Sequence, residues 1–174
     1  MSLAIKVPPG LARYKARRSH AGGGPRCYIR SLPYYPIYID LREKPVLVAG
    51  AGKVALRKVK GLLAAGARVT VVAPQCAAAF EDLPVRRLRR RFRASDLRGA
   101  VLAFAATNDR AANHRIAEAA KARGIFVNVA DSAAECGFLV PARMERGGVQ
   151  VAVSTGGVNP RLAAELRRKL ERIL

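Results

Sequence analysis

The stretch PVLVAGAGKVA, residues 45–55, decides which fold this chain is expected to adopt. It joins a buried-strand pattern to a glycine-rich turn and then to apolar residues that recur at helical spacing as far as Gly66. A second β-branched run follows at residues 67–73. Strand, glycine turn, helix and strand occupy about 30 residues, which is the usual length of one parallel βαβ unit.

The alternation of strands and helices continues toward the C-terminus. Strand patterns at residues 101–106 and 125–129 flank a helix that Asn108 or Asp109 would cap and that extends to about Arg123. Such alternation is typical of an open parallel sheet with helices on both faces. The sequence therefore predicts an α/β, Rossmann-type doubly wound domain over residues 34–131.

Residues 132–174 predict a smaller second element. Strand patterns at residues 138–142 and 149–154 flank Gly147-Gly148, as in a hairpin, and Asn159-Pro160 is a typical helix start. The helix that follows carries one apolar stripe, and a stripe of this kind needs a partner surface. We therefore expect a C-terminal β-hairpin followed by a helix whose apolar stripe packs against a partner surface. The residues of the stripe are Leu162, Leu166, Leu170 and Leu174.

The chain is strongly basic, with 32 Lys and Arg against 12 Asp and Glu and a formal net charge of +20. Residues 1–33 contain basic but no acidic side chains and several Pro and Gly, which predicts a flexible basic tail. A positive field attracts nucleic acid, anionic membrane surfaces and polycarboxylated small molecules alike. We interpret the arginine-rich residues 86–93 as an edge strand whose charge disfavours pairing with other strands. The alternative is that this segment binds RNA or DNA.

Targeting and metal signals are weak. The apolar runs are far shorter than the ~20 residues of a membrane-spanning helix, and no signal-peptide core follows the N-terminal charges. Three cysteines form no CxxC pair. The only histidines are His20 and His114. These features predict a cytoplasmic protein without a membrane anchor, and they predict no metal site.

A dinucleotide fingerprint follows the first strand. Its glycines suit a tight turn and a close approach of the backbone to a pyrophosphate, and the helix that begins there offers free N–H groups. The second strand ends at Ala73-Pro74 instead of an acidic residue, so the choice between NAD and NADP stays open. A glycine turn that binds nothing is the alternative. The expected cofactor-binding residues are Gly50, Ala51, Gly52, Lys53, Val54 and Ala55.

Five ordered motifs resemble the precorrin-2 dehydrogenase family, including the N-terminal module of sirohaem synthase. The resemblance extends from about Tyr35 to the C-terminus. The motifs are Ile39-Asp40-Leu41-Arg42, residues 46–58, Ala105-Ala106-Thr107-Asn108-Asp109, Asn128-Val129-Ala130-Asp131 and Val153-Ser154-Thr155-Gly156-Gly157.

The resemblance implies an NAD-dependent oxidoreductase that converts precorrin-2 to sirohydrochlorin in sirohaem biosynthesis. In some members ferrous-ion insertion follows. Members of the family are homodimers that make contacts through the second element, so the resemblance implies that residues 132–174 serve in dimerisation and substrate binding. The family's proposed catalytic aspartate falls on Asp131, just past a predicted parallel strand, where a carboxylate can accept the proton that the oxidation releases. Without the resemblance, an Asp at this position is more often a cap or turn residue.

Two further groups of candidate residues have open alternatives. Thr107, Asn108 and Asp109 are expected beside the nucleotide, or they only cap the next helix. Ser154, Thr155, Gly156 and Gly157 would bind a substrate carboxylate, or they form an ordinary helix start.

The rival function is a non-catalytic NAD-sensing or nucleic-acid-associated module. It is disfavoured because the sequence shows no recognisable nucleic-acid-binding motif.

Overall fold

The computed structural model describes residues 34–173, so the basic tail predicted for residues 1–33 lies outside the described residues. The strands are β1 (Pro45–Ala49), β2 (Arg68–Val72), β3 (Arg86–Leu88), β4 (Leu102–Ala105), β5 (Phe126–Val129), β6 (Ala142–Arg146) and β7 (Val149–Val153). The helices are α1 (Lys53–Ala64), α2 (Arg110–Lys121) and α3 (Pro160–Ile173).

A five-stranded parallel sheet forms the centre of the molecule, with the strand order β3-β2-β1-β4-β5. The first strand in sequence, β1, is the middle strand of the sheet. The chain continues outward through β2 and β3 and then returns to the other side of β1. The strand order therefore reverses between β1 and β4, which is where doubly wound sheets bind their ligands. The predicted α/β fold class is confirmed, whereas the division at residue 131 stays a prediction.

Both faces of the sheet are covered, which explains why its central strands β1 and β4 are apolar throughout. Within β1, Val46 and Val48 join the core beneath α1, whereas Leu47 and Ala49 join the core beneath α2. Each face is completed by apolar residues at helical spacing: Ala55, Val59 and Leu62 from α1, and Ile116, Ala117 and Ala120 from α2. Burial of each of the larger side chains, Val59, Leu62 and Ile116, stabilises the fold by about 1.5–3 kcal/mol.

The arginine-rich segment contains an edge strand of the sheet, as the sequence predicted. β3 is an outer strand that pairs with β2, and Arg86 is exposed. The guanidinium of Arg90 donates to both carboxylate oxygens of Asp96, at 2.9 and 2.6 Å. This bidentate contact lowers the pKa of Asp96, whose side chain is 4% exposed. The charged side chains of this segment disfavour pairing of β3 with a strand of another molecule.

The hairpin is present, but the prediction that residues 138–142 form its first strand is wrong. β6 begins at Ala142 and reaches the turn directly, with Arg146 paired to Val149. Gly147 and Gly148 have φ of +57° and +77°, as a two-residue turn requires. Phe138 instead packs edge-to-face on Phe104 in the core, with ring centroids 5.4 Å apart. Phe138 is therefore explained by core packing and not by strand pairing.

The last helix begins as predicted. Asn159 Oδ1 accepts a hydrogen bond from the backbone N–H of Leu162 at 3.0 Å, and Pro160 occupies the first helical position. Ala163 is buried, while Leu162 and Leu166 remain partly exposed; Leu174 lies outside the described residues. Among residues 34–173, no helix combines the length and apolarity needed to cross a membrane.

Candidate active site

The turn after β1 needs glycine at Gly50. Its φ of +108° is a conformation that other residues rarely adopt, and its N–H donates to Val72 O at 2.9 Å. A Cβ built at Gly50 would lie 2.1 Å from the carbonyl oxygen of Ala106. The absence of a side chain therefore lets the turn after β1 lie against the end of β4.

We expect Gly50→Ala to destabilise the fold by about 2 kcal/mol, because strain at this φ is joined by a backbone clash. Gly99→Ala is the matched control, since Gly99 has a φ of +77° but its Cβ would meet no heavy atom of the described residues within 4 Å. Urea unfolding of both variants measures the difference. Equal losses of unfolding free energy would mean that the contact with Ala106 is unimportant.

Gly52 leaves open space where α1 begins. A Cβ at Gly52 would have no heavy atom of the described residues within 4 Å, and its φ is −90°. Gly52 is the N-cap of α1 and provides no side-chain cap, and the first helical turn, which is fully described, carries no acidic residue. The first-turn amides therefore present their partial positive charge without a competing side chain, which fits a dinucleotide pyrophosphate. Lys53 begins the helix, and its neighbour Val54 is exposed.

The turn after β4 lies beside the glycine turn. Ala106 N donates to Ala49 O at 2.8 Å, which holds the end of β4 against β1 and places Thr107 next in line. Asp109 is the N-cap of α2, because its Oδ1 accepts from Ala112 N at 3.0 Å. That hydrogen bond lowers the pKa of Asp109. The role of residues 107–109 in nucleotide binding stays a prediction.

Asp131 lies two residues beyond the end of β5, at the carboxyl ends of the parallel strands, as do the turns after β1 and β4. Ala130 N donates to Ala105 O at 2.9 Å, and this hydrogen bond holds the end of β5 against the end of β4. The Asp131 side chain is 38% exposed, so the carboxylate can reach a ligand. It accepts a hydrogen bond from Asn113 Nδ2 at 3.0 Å, and Arg110 Nη1 lies 3.9 Å from its other oxygen.

An exposed ion cluster flanks Asp131. Both terminal guanidinium nitrogens of Arg110 donate to the Glu135 carboxylate, and His114 Nδ1 lies 3.3 Å from the same carboxylate. The hydrogen bonds from Arg110 hold the pKa of Glu135 below its usual value. Glu135 thus fixes Arg110, and a positive charge stays next to Asp131.

A half-buried lysine lies beneath the sheet edge. Lys58 Nζ donates to Asn128 Oδ1 at 2.6 Å and lies 5.1 Å from the ring centroid of Phe104. Burial lowers the pKa of Lys58. Asn128 Nδ2 in turn donates to Phe138 O at 3.1 Å. The network ties α1 to β5 and to the segment that leads to the hairpin.

The turn at residues 154–157 uses its hydroxyls locally. Ser154 Oγ accepts from Gly156 N at 3.1 Å, and Thr155 Oγ1 accepts from Asn159 N at 3.1 Å. Both glycines have positive φ, and a Cβ at Gly157 would come within 3.7 Å of Leu139. The structure thus links Thr107 and Asp131 through hydrogen bonds to Asn113, and it places Gly50 against Ala106 at the end of β4. The side-chain hydrogen bonds of the 154–157 turn, in contrast, stay within that turn and the start of α3.

Sequence reasoning missed Asn113, Lys58 and the Arg110–Glu135 pair. One signal for Asn113 was available: it shares the buried stripe of α2 with Ile116, Ala117 and Ala120, where an apolar residue is normal. Within residues 34–173, no group of three or more His, Cys, Asp or Glu side chains comes together that could hold a metal ion.

Two family models match the chain. The one described as "Putative NAD(P)-binding" covers residues 37–142, and the one described as "Sirohaem biosynthesis protein central" covers residues 146–173. The first match includes the glycine turn, the turn after β4 and Asp131. The second covers β7, the 154–157 turn and α3.

Several named proteins are similar to the chain. A "Siroheme synthase" of Methylococcus capsulatus is 47% identical over 80% of this chain and 30% of its own length, and one of Nitrosospira multiformis is 45% identical over 81% and 32%. The chain thus spans about a third of the curated relatives that it matches. The solved structure "SirC, precorrin-2 dehydrogenase" is 32% identical, with a TM-score of 0.69 over 81% of this chain and 71% of SirC.

Fold and site together define a dinucleotide-binding α/β domain with a carboxylate at the ligand-binding edge of the sheet. The family match covers more than half of the chain, and SirC is matched over most of its own length. The chain belongs to the precorrin-2 dehydrogenase family. This is the family that the five sequence motifs resemble.

Proposed function

We propose that the chain catalyses the NAD-dependent oxidation of precorrin-2 to sirohydrochlorin in sirohaem biosynthesis. One observation carries this proposal: the glycine turn and the exposed carboxylate of Asp131 both lie at the carboxyl ends of the parallel strands, after β1 and β5 on either side of β4. The similarity to SirC and to siroheme synthases supports this substrate.

The residues after β1 fit the cofactor. The first-turn amides of α1 would hold the pyrophosphate, and the missing side chain of Gly52 gives the phosphates room. Thr107, Asn108 and Asp109 would border the nucleotide from the turn after β4. Bound NAD supplies the hydride acceptor of the oxidation.

Asp131 would perform the acid–base part of the reaction. Oxidation of precorrin-2 removes a hydride and a proton, and the proton would pass to a carboxylate oxygen of Asp131. Its side chain is open to the ligand and is held by Asn113 on its other side. Ser154, Thr155, Gly156 and Gly157 would contact a substrate carboxylate from the start of α3.

A homodimer and a cytoplasmic location are part of the same proposal. The exposed sides of Leu162 and Leu166 on α3 give an apolar surface that a second copy can cover. The location in the cytoplasm follows from the proposed role in sirohaem biosynthesis, which the similarity to siroheme synthases supports.

Incubation of the full chain with precorrin-2 and NAD is the direct test. We expect the absorbance of NADH and of sirohydrochlorin to rise together in a 1:1 ratio. If precorrin-2 is unchanged while RNA binds tightly, the nucleic-acid-associated alternative is right.

The positive charge predicts an asymmetric salt effect. Raising the ionic strength from about 0.05 M to 0.5 M shortens the range of electrostatic attraction to a few ångströms. Precorrin-2 carries more negative charge than NAD, so we expect its KM to rise about threefold more than that of NAD. Steady-state kinetics at fixed pH measure both constants. Equal salt dependence would mean that the charge does not steer the substrate.

A further inference from the structure

Asn113 is the most deeply buried polar side chain near the candidate site, with 0% exposure. It occupies the first turn of α2, on the stripe that faces the sheet. Burying an amide without hydrogen bonds costs about 1–3 kcal/mol. Asn113 avoids that cost only through its hydrogen bonds, so the partners of those bonds indicate what the residue does.

All four hydrogen-bonding positions of the Asn113 amide are used. Its Oδ1 accepts from the backbone N–H of Thr107 at 3.0 Å and from Thr107 Oγ1 at 2.7 Å. Its Nδ2 donates to Thr107 O at 3.1 Å and to Asp131 Oδ2 at 3.0 Å. The orientation of the amide follows from its neighbours, because a backbone N–H only donates, and a carbonyl and a carboxylate only accept.

We infer that Asn113 is a positioning residue that fixes the Asp131 carboxylate relative to the turn after β4. The two segments it joins are the cofactor-binding turn and the proton-accepting residue of the reaction, so the inference rests on the proposed function. Asn113 cannot touch either ligand, because it is fully buried. It acts by setting the distance between the two groups that do.

The alternative is that Asn113 only stabilises α2. Asn128 provides the matched comparison, because it is also buried (6% exposed) and also bonds through both ends of its amide, to Lys58 and to Phe138 O. Within the described residues, the Asn128 side chain makes no hydrogen bond to Asp131. A purely structural role predicts similar consequences for catalysis when either amide is replaced.

The first test uses the free chain, without NAD or substrate. In ¹⁵N NMR spectra the side-chain amide of Asn113 should show one proton shifted downfield by its bond to the carboxylate. Asp131→Ala should move that proton upfield, and Asp131→Asn, which keeps an acceptor oxygen, should move it less. A resonance that does not respond to Asp131→Ala would refute the contact.

The second test is a double-substitution cycle on kcat at saturating substrates. Asn113→Ala should lower kcat by about 10- to 100-fold, the usual effect of displacing a reacting group by an ångström. In the Asp131→Ala background the same substitution should lower kcat less than about twofold, because the residue it positions is gone. Asn128→Ser should change kcat less than threefold, even though it lowers the melting temperature.

Asn113→Ser covers the case in which the alanine variant does not fold, since a hydroxyl keeps one bond and leaves a smaller gap. Independent effects of Asn113 and Asp131, or an equal loss of kcat in Asn128→Ser, would overturn the inference. If Asp131→Ala itself retains the full kcat, the catalytic role proposed for Asp131 is wrong, and the NMR result alone then decides whether Asn113 binds it.

Discussion

Asp131→Asn is expected to lower kcat by roughly 10²- to 10⁴-fold, the usual contribution of a positioned general base. The amide keeps the shape of the side chain and an oxygen that can accept from Asn113 Nδ2, now at 3.0 Å from the carboxylate. What it loses is the ability to take up the proton. Single-turnover measurements with saturating NAD report the chemical step directly.

The affinity for NAD should change little in this variant, because Asp131 follows β5 whereas the glycine turn follows β1. Glu135→Gln is the control: it removes the same charge from the neighbouring ion cluster and leaves Asp131 in place. We expect its kcat to stay within about threefold of the original. A folded Asn variant with the original single-turnover rate would make Asp131 a structural residue.

The fold was predictable because its signals are local. The periodicity of residues 45–73 and the glycine turn lie in one short segment, and Gly50 shows in its φ of +108° why the turn needs glycine. The cap of α2 was predictable to one of two residues, and Asp109 is the one that accepts the hydrogen bond. The first hairpin strand was not, because an apolar run such as the one at Phe138 looks the same whether it pairs in a sheet or packs in a core.

Contacts within the site were less accessible. Asp131 was assigned from the family motif and from its place after a strand, whereas its partner Asn113 lies 18 residues away and Lys58 lies 70 residues from Asn128. Such pairs depend on the strand order, which sequence periodicity does not specify. A polar residue in an apolar helix stripe is the one local sign that a buried bond exists.

Gly52→Asp is expected to separate stability from cofactor binding. Gly52 is the N-cap of α1 in an extended conformation, and its Cβ would meet open space in the described residues. Asp is a somewhat better N-cap than Gly, so the free protein should gain a few tenths of a kcal/mol of stability. The same carboxylate would use the amides that bind the pyrophosphate and would repel its charge.

We expect the Kd for NAD to rise at least about 100-fold, or about 2.7 kcal/mol. Repulsion between like charges a few ångströms apart near a protein surface is large enough to account for this. Gly52→Asn is the matched control, because it caps the helix without charge and should weaken binding less. Calorimetric titration with NAD and urea unfolding measure the two quantities. An Asp variant that is more stable and binds NAD with unchanged affinity would show that the cofactor does not use the start of α1.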